Sequence, residues 1–220
     1  MLSKILLTLV GIFFISAAGS FKKSDKLIGT AEYYLNHAEI SYVWGGNTVA
    51  GKKSCKSCSQ CLNAKKPSKT NKVKACPVCK KCGLDCSHFI LHVFENAGLK
   101  TKYLTTAAMR SFSKDKLLTD FNWIDMGAKA SRAMNGDLAV YPGHVVMIMK
   151  VYPETATADI IHVTSGRDIK NAGEAVQTER GIKIENFRGP LQRLLRHKDI
   201  YAEYRNSGRF WRVEPVGKKD

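Results

Sequence analysis

Leu84-Asp85-Cys86-Ser87-His88-Phe89 is the stretch on which the reading of this 220-residue chain turns. The sequence changes character there. Upstream, Cys55, Cys58 and Cys61, then Cys76, Cys79 and Cys82, repeat at three-residue spacing inside a segment, 47–83, with almost no large apolar side chains. Downstream, Phe89, Ile90, Val93, Phe94 and Ala97 recur at helical steps, and Gly98 supplies a stop. Cys86 stands out of step with the other six cysteines and opens that helix. Unpaired amides and the dipole at a helix start favour negative charge. A thiol in that place is expected to ionise more readily and to serve as a nucleophile.

The flanking sequence gives the fold class. Residues 24–37 read as a helix capped by Ser24 or Asp25, with Leu27, Ile28, Ala31, Tyr34 and Leu35 on one face. Ser41-Tyr42-Val43-Trp44-Gly45-Gly46 reads as an extended stretch ending in a glycine pair. Short helices are expected at 105–112 and 127–134, and a basic helix at 187–197. Strands are expected over Leu138–Tyr141, His144–Val151 and Asp159–Thr164, with a Pro142-Gly143 turn and a closing strand Phe210–Val213. Helices first and strands after predict an α+β domain with an antiparallel sheet. Residues 47–83 show neither helical nor strand periodicity and read as an insertion held together by its cysteines.

The bulk properties place the chain in a compartment. Lys4, the apolar run Ile5–Ile15 and the small residues Ala17-Ala18-Gly19 read as a signal peptide over 1–19. The run is short for a membrane span of roughly 20 residues. The domain is then 20–220, exported to the periplasm or the extracellular space. Seven cysteines in an exported chain imply disulfides, and the odd number leaves one over. The net charge of +16 rests heavily on the insertion, whose ten lysines, Lys52 to Lys81, face no acid between Asn47 and Leu84. Such a balance favours anionic partners, against a plain solvated loop as the bland reading.

Chemistry around Cys86 needs a base. His144 starts one expected strand and His162 lies in the next. Antiparallel pairing would bring the two together as base and orienting group beside the thiol. His88 and His92, four apart on the helix, lack the Glu of a metalloprotease pattern and read as structural.

The series Tyr42-Val43-Trp44-Gly45-Gly46, Leu84-Asp85-Cys86-Ser87-His88-Phe89, Gly136-Asp137-Leu138, Gly143-His144-Val145-Val146-Met147 and Ile161-His162 resembles the NlpC/P60 family of cell-wall cysteine peptidases over about residues 24–165. The resemblance implies a papain-like fold and hydrolysis of peptidoglycan stem peptides, commonly at the D-γ-glutamyl–diamino acid bond. It makes Cys86 the nucleophile, His144 the base and His162 the orienting third residue. It gives Tyr42 a place beside the oxyanion, and Trp44, Asp85 and Ser87 places at the substrate. The backbone N–H of Cys86 is a second oxyanion donor. Two departures stand out: His88 where the family usually has Gly, and the long insertion. No cofactor is required for the reaction. The implied partner is peptidoglycan, joined by anionic wall polymer or lipid head groups at the basic insertion; no stable nucleic-acid complex is expected.

The insertion has three readings. Three disulfides are the expectation in an oxidising compartment. Structural zinc on Cys55, Cys58, Cys61, Cys76, Cys79 and Cys82 is the second. The third is an iron–sulfur site on Cys76, Cys79, Cys82 and Cys86, whose spacing is that of bacterial ferredoxins, although Ser87 replaces the usual proline. A non-catalytic basic protein that binds wall polymer or nucleic acid is the rival to the enzyme.

Overall fold

The computed structural model describes residues 23–38, 40–50, 55–67, 72–127, 132–164, 173–176, 182–187 and 209–213. The expected signal peptide lies outside them. So do residues 188–197 of the expected basic helix, residue 187 being the end of a strand.

Helix α1 spans 23–37 and turns Leu27, Ala31 and Tyr34 into the core at 4- and 3-residue steps. Ser24 and Asp25 lie inside it rather than at its cap. Helix α4 (Cys86–Asn96) packs beside α1: the Tyr34 ring meets Phe89 edge-on at 6.2 Å, and Asn96 Nδ2 donates to the Tyr34 hydroxyl at 2.8 Å. Gly98, at φ 77°, closes α4, where Leu99 N–H donates to Phe94 O.

Two short helices precede the sheet, α5 (Thr106–Ser111) and α6 (Lys114–Phe121). Thr105 and Ser113 cap them by accepting from the amides of Ala108 and Lys116. The first answers the expected helix at 105–112. The second, and strand β1 (Trp123–Gly127), were not anticipated. Of the expected helix at 127–134, Gly127 instead ends β1, and 128–131 lie outside the described residues.

The remaining strands are β2 (Leu138–Tyr141), β3 (His144–Tyr152), β4 (Thr157–Val163), β5 (Gly173–Val176), β6 (Ile182–Phe187) and β7 (Arg209–Val213). They form one sheet in the order β1-β7-β2-β3-β4-β6-β5, with each neighbouring pair antiparallel. The α+β expectation holds at that level. Alternation along β3 sends Val145, Met147 and Met149 into the main core with α4, and Val146 and Ile148 into a second cluster with Tyr141 and Ile160. Burial on both faces explains why β2 and β3 read as continuous apolar runs.

The insertion is more regular than its lack of periodicity predicts. It contains helix α2 (Lys56–Lys65), helix α3 (Lys72–Ala75) and a 3-10 turn at Pro77–Lys81. Disulfides join Cys58 to Cys79 and Cys61 to Cys76. The three-residue cysteine spacing is itself a helical stripe: Cys58 and Cys61 stand one turn apart and face the segment that carries Cys76 and Cys79. Cys55, Cys58, Cys76, Cys79 and Cys82 form a small buried cluster against Val43, Leu62 and Val73.

The lobe joins the body beside Leu84. Tyr42 bridges Leu84 in parallel sense and Asn47 bridges it in antiparallel sense. Gly46 and Gly83 meet back to back there. A Cβ on Gly83 would stand 2.1 Å from Ser41 O, and one on Gly46 would stand 2.5 Å from Gly83 O. Only glycine fits either place.

Candidate active site

Asp85 sets the start of α4. Its extended backbone and its side chain, which accepts from His88 N–H at 2.8 Å, form the N-cap. The next residue, Cys86, is therefore held at the first helical position. Its thiol lies 4.0 Å from Gly143 O and within hydrogen-bonding reach of the Val145 amide. The sulfur thus sits against the backbone on either side of His144.

His144 and His162 are brought together. His144 Nε2 and His162 Nδ1 are 2.7 Å apart, and both rings are buried. The register explains the pairing. Met147 lies opposite Ile161, so His162 falls beside Val146 and one diagonal step from His144. A contact of that length requires one nitrogen to donate and the other to accept, which ties the tautomers of the two rings together.

The thiol differs from expectation in its acidity. Burial pushes Cys86 up to about 12, and the Asp85 carboxylate adds to the rise. The amides of Val145, Ser87 and Cys86 pull the other way, as a helix start should, and lose to desolvation. Burial thus favours the protonated thiol.

A polar cluster surrounds it. Asp85 Oδ1 accepts from Ser87 Oγ at 2.9 Å and lies 3.0 Å from His88 Nδ1. Ser87 Oγ lies 3.2 Å from the Tyr103 hydroxyl, and the Tyr103 ring stacks on His88 at 4.0 Å. Tyr103 was not singled out in the sequence. Burial raises its phenol above the usual value, its bond to Ser87 opposes this, and Asp85 and Cys86 add to the rise. A half-exposed tyrosine with its hydroxyl among these groups belongs to the rim of the site. His88, read as structural, also faces this cluster.

Tyr42 packs against the main core, with its backbone on Leu84, two residues before the thiol. Trp44 stands on an exposed turn beyond it. His92 is turned away to Asn47 O at 3.2 Å.

Cys58, Cys61, Cys76 and Cys79 are taken up in disulfides, and Cys86 lies in a different cluster from the remaining cysteines. The four residues of the ferredoxin-like spacing are therefore not gathered around one point. Disulfides fit an oxidising, exported setting, and no helix among the described residues is long and apolar enough to cross a membrane. Comparison of the chain with protein-family models, with curated proteins and with solved structures gives no significant match.

Proposed function

We propose that the protein is an exported cysteine peptidase of the NlpC/P60 type, with a papain-like arrangement, that cleaves peptidoglycan stem peptides through a thioester on Cys86. The observation that carries this reading is the placement of the thiol at the start of α4, against the backbone flanking His144, whose ring is bonded to His162.

Burial favours the protonated thiol, so attack and loss of the proton go together. Sulfur attacks the peptide carbonyl as its proton passes to His144. His144 Nε2 is engaged with His162, so Nδ1 is the nitrogen that accepts. For Nδ1 to be bare, Nε2 carries the hydrogen and His162 Nδ1 accepts it. His162 is thus a positioning residue. The negative oxygen that develops is met by the Cys86 amide and by Tyr42. His144 then returns the proton to the departing amine and leaves a thioester. Water, deprotonated by His144, attacks that thioester and restores the thiol with release of the acid.

Asp85, Ser87 and Trp44 are assigned to the substrate, with Asp85 suited to a cationic amine. The D-γ-glutamyl–diamino acid bond is the expected point of cleavage. The lobe exposes Lys56, Lys65, Lys66, Lys74, Lys80 and Lys81, and this surface serves anionic wall polymer or lipid head groups. Cys86→Ala should abolish release of stem-peptide fragments from purified sacculi while the fold survives, and His144→Ala should be as severe. Undiminished release by folded Cys86→Ala would overturn the mechanism.

A further inference from the structure

The two disulfides of the lobe share one sense. Cys58 pairs with Cys79 and Cys61 with Cys76, so three residues outward on one arm correspond to three residues outward on the other. The next rung in that register joins Cys55 to Cys82. Neither residue belongs to the disulfides already formed. Both are buried, at 6% and 5% exposure, in the cluster that holds the bonded cysteines. The two thiols interact with each other, and the Cys82 thiol also lies 3.5 Å from Val78 O. Cys82 thus shares the lobe's cluster with Cys55, while Cys86 belongs to the main core.

We propose that Cys55 and Cys82 are an oxidation site that closes into a third, outermost disulfide, which seals the base of the lobe and leaves Cys86 as the single thiol of the chain. The step needs a two-electron acceptor, namely an external thiol disulfide of an oxidising compartment. One thiolate of the pair attacks it and expels a first thiol. The partner thiolate then attacks the mixed disulfide and expels a second. Two protons and two electrons leave the protein, and one S–S bond is gained. Burial and the neighbouring Cys55 thiol push Cys82 up to about 11, so closure runs faster as the pH is raised.

The test uses the whole protein, incubated with excess oxidised glutathione at mildly alkaline pH, then denatured, alkylated without reductant and mapped by mass spectrometry. The expected result is a fall from three alkylated cysteines to one, with Cys86 carrying the label and a Cys55–Cys82 cross-linked peptide present. In Cys86→Ala the count should fall from two to none. Label on Cys55 and Cys82, glutathione retained on either, or a Cys82–Cys86 link would overturn the proposal. None of these readouts depends on peptidase activity.

Discussion

Gly83→Ala tests how much stability rests on the close backbone approach between lobe and body. The new Cβ would lie 2.1 Å from Ser41 O, so the chains must part by about 1.3 Å to reach the 3.4 Å at which ordinary contact begins. Two backbone bonds sit at that joint, Leu84 N–H to Ser41 O and Val43 N–H to Leu84 O, both at 3.0 Å. Losing them costs about 1 kcal/mol each, and a side chain at φ 153° adds roughly 1–3 kcal/mol. The total is roughly 3–5 kcal/mol, in the range reserved for severe substitutions. For a chain of this size that corresponds to a fall in Tm of about 10–15 °C. Thermal unfolding followed by circular dichroism reads it directly. Gly46→Ala, with its Cβ 2.5 Å from Gly83 O, should behave alike. Gly29→Ala is the control: it lies in α1 with open space around it, and alanine should stabilise the helix by up to about 1 kcal/mol. A Gly83→Ala protein melting within two or three degrees (roughly 1 kcal/mol) of the parent would refute the reasoning.

The acidity of Cys86 gives a pH dependence. Its folded value, about 12, lies above the ordinary 9.0, so between these two pH values the folded chain holds a proton the unfolded chain releases. The resulting stability is fully present below pH 9 and is lost as pH rises towards 12, by roughly 4 kcal/mol at ~1.4 kcal/mol per pH unit. Chemical unfolding across that range should show a steeper alkaline decline for the parent than for Cys86→Ala, and equal slopes would contradict the assignment. His162→Ala should lower kcat/KM by roughly 10- to 100-fold, the worth of one buried orienting hydrogen bond. His162→Asn should recover part of it, and no recovery would speak against an orienting role. Replacing Lys56, Lys65, Lys66, Lys80 and Lys81 together by Glu should weaken sacculus binding and flatten its salt dependence, with hydrolysis of soluble stem peptides kept. Binding unchanged in a salt titration would remove the lobe from wall recognition.

Where local chemistry decides structure, the sequence could be read. Leu27, Ala31 and Tyr34 declared α1 by spacing alone, and the stripe Phe89, Ile90, Val93, Phe94 and Ala97 ahead of Gly98 declared α4. Pro142-Gly143 between two apolar runs declared the β2–β3 hairpin. Strand β1 depends on a partner far along the chain, Trp123 lying opposite Val213, so its own composition carried little signal. Helix α6 was overlooked although Ser113 and the left-handed Asn122 at its end are ordinary boundary residues. In the lobe, disulfides are legible in the cysteines and two are present, while its helices are not, because the same cysteines also serve as the apolar face of a helical stripe. At the site, Cys86, His144 and His162 were legible as residue types at telling positions. Tyr103 was not, because it reaches Ser87 only through tertiary folding. The acidity of the thiol was misjudged for a similar reason: a helix start can be seen in a sequence, and the completeness of burial around it cannot.

The joint at Gly46 and Gly83 also bears on how this chain tolerates change. Asn47 N–H reaches Lys80 O and Thr48 N–H reaches Gly83 O, each at 3.0 Å. The excursion through the lysine-rich segment therefore ends within one hydrogen bond of where it began. Two chain ends held that close form a socket, and the lobe seated in it packs its cysteine cluster on Val43. The two ends of the lobe stay fixed to one another whatever length lies between them, provided the two glycines keep their backbones in contact.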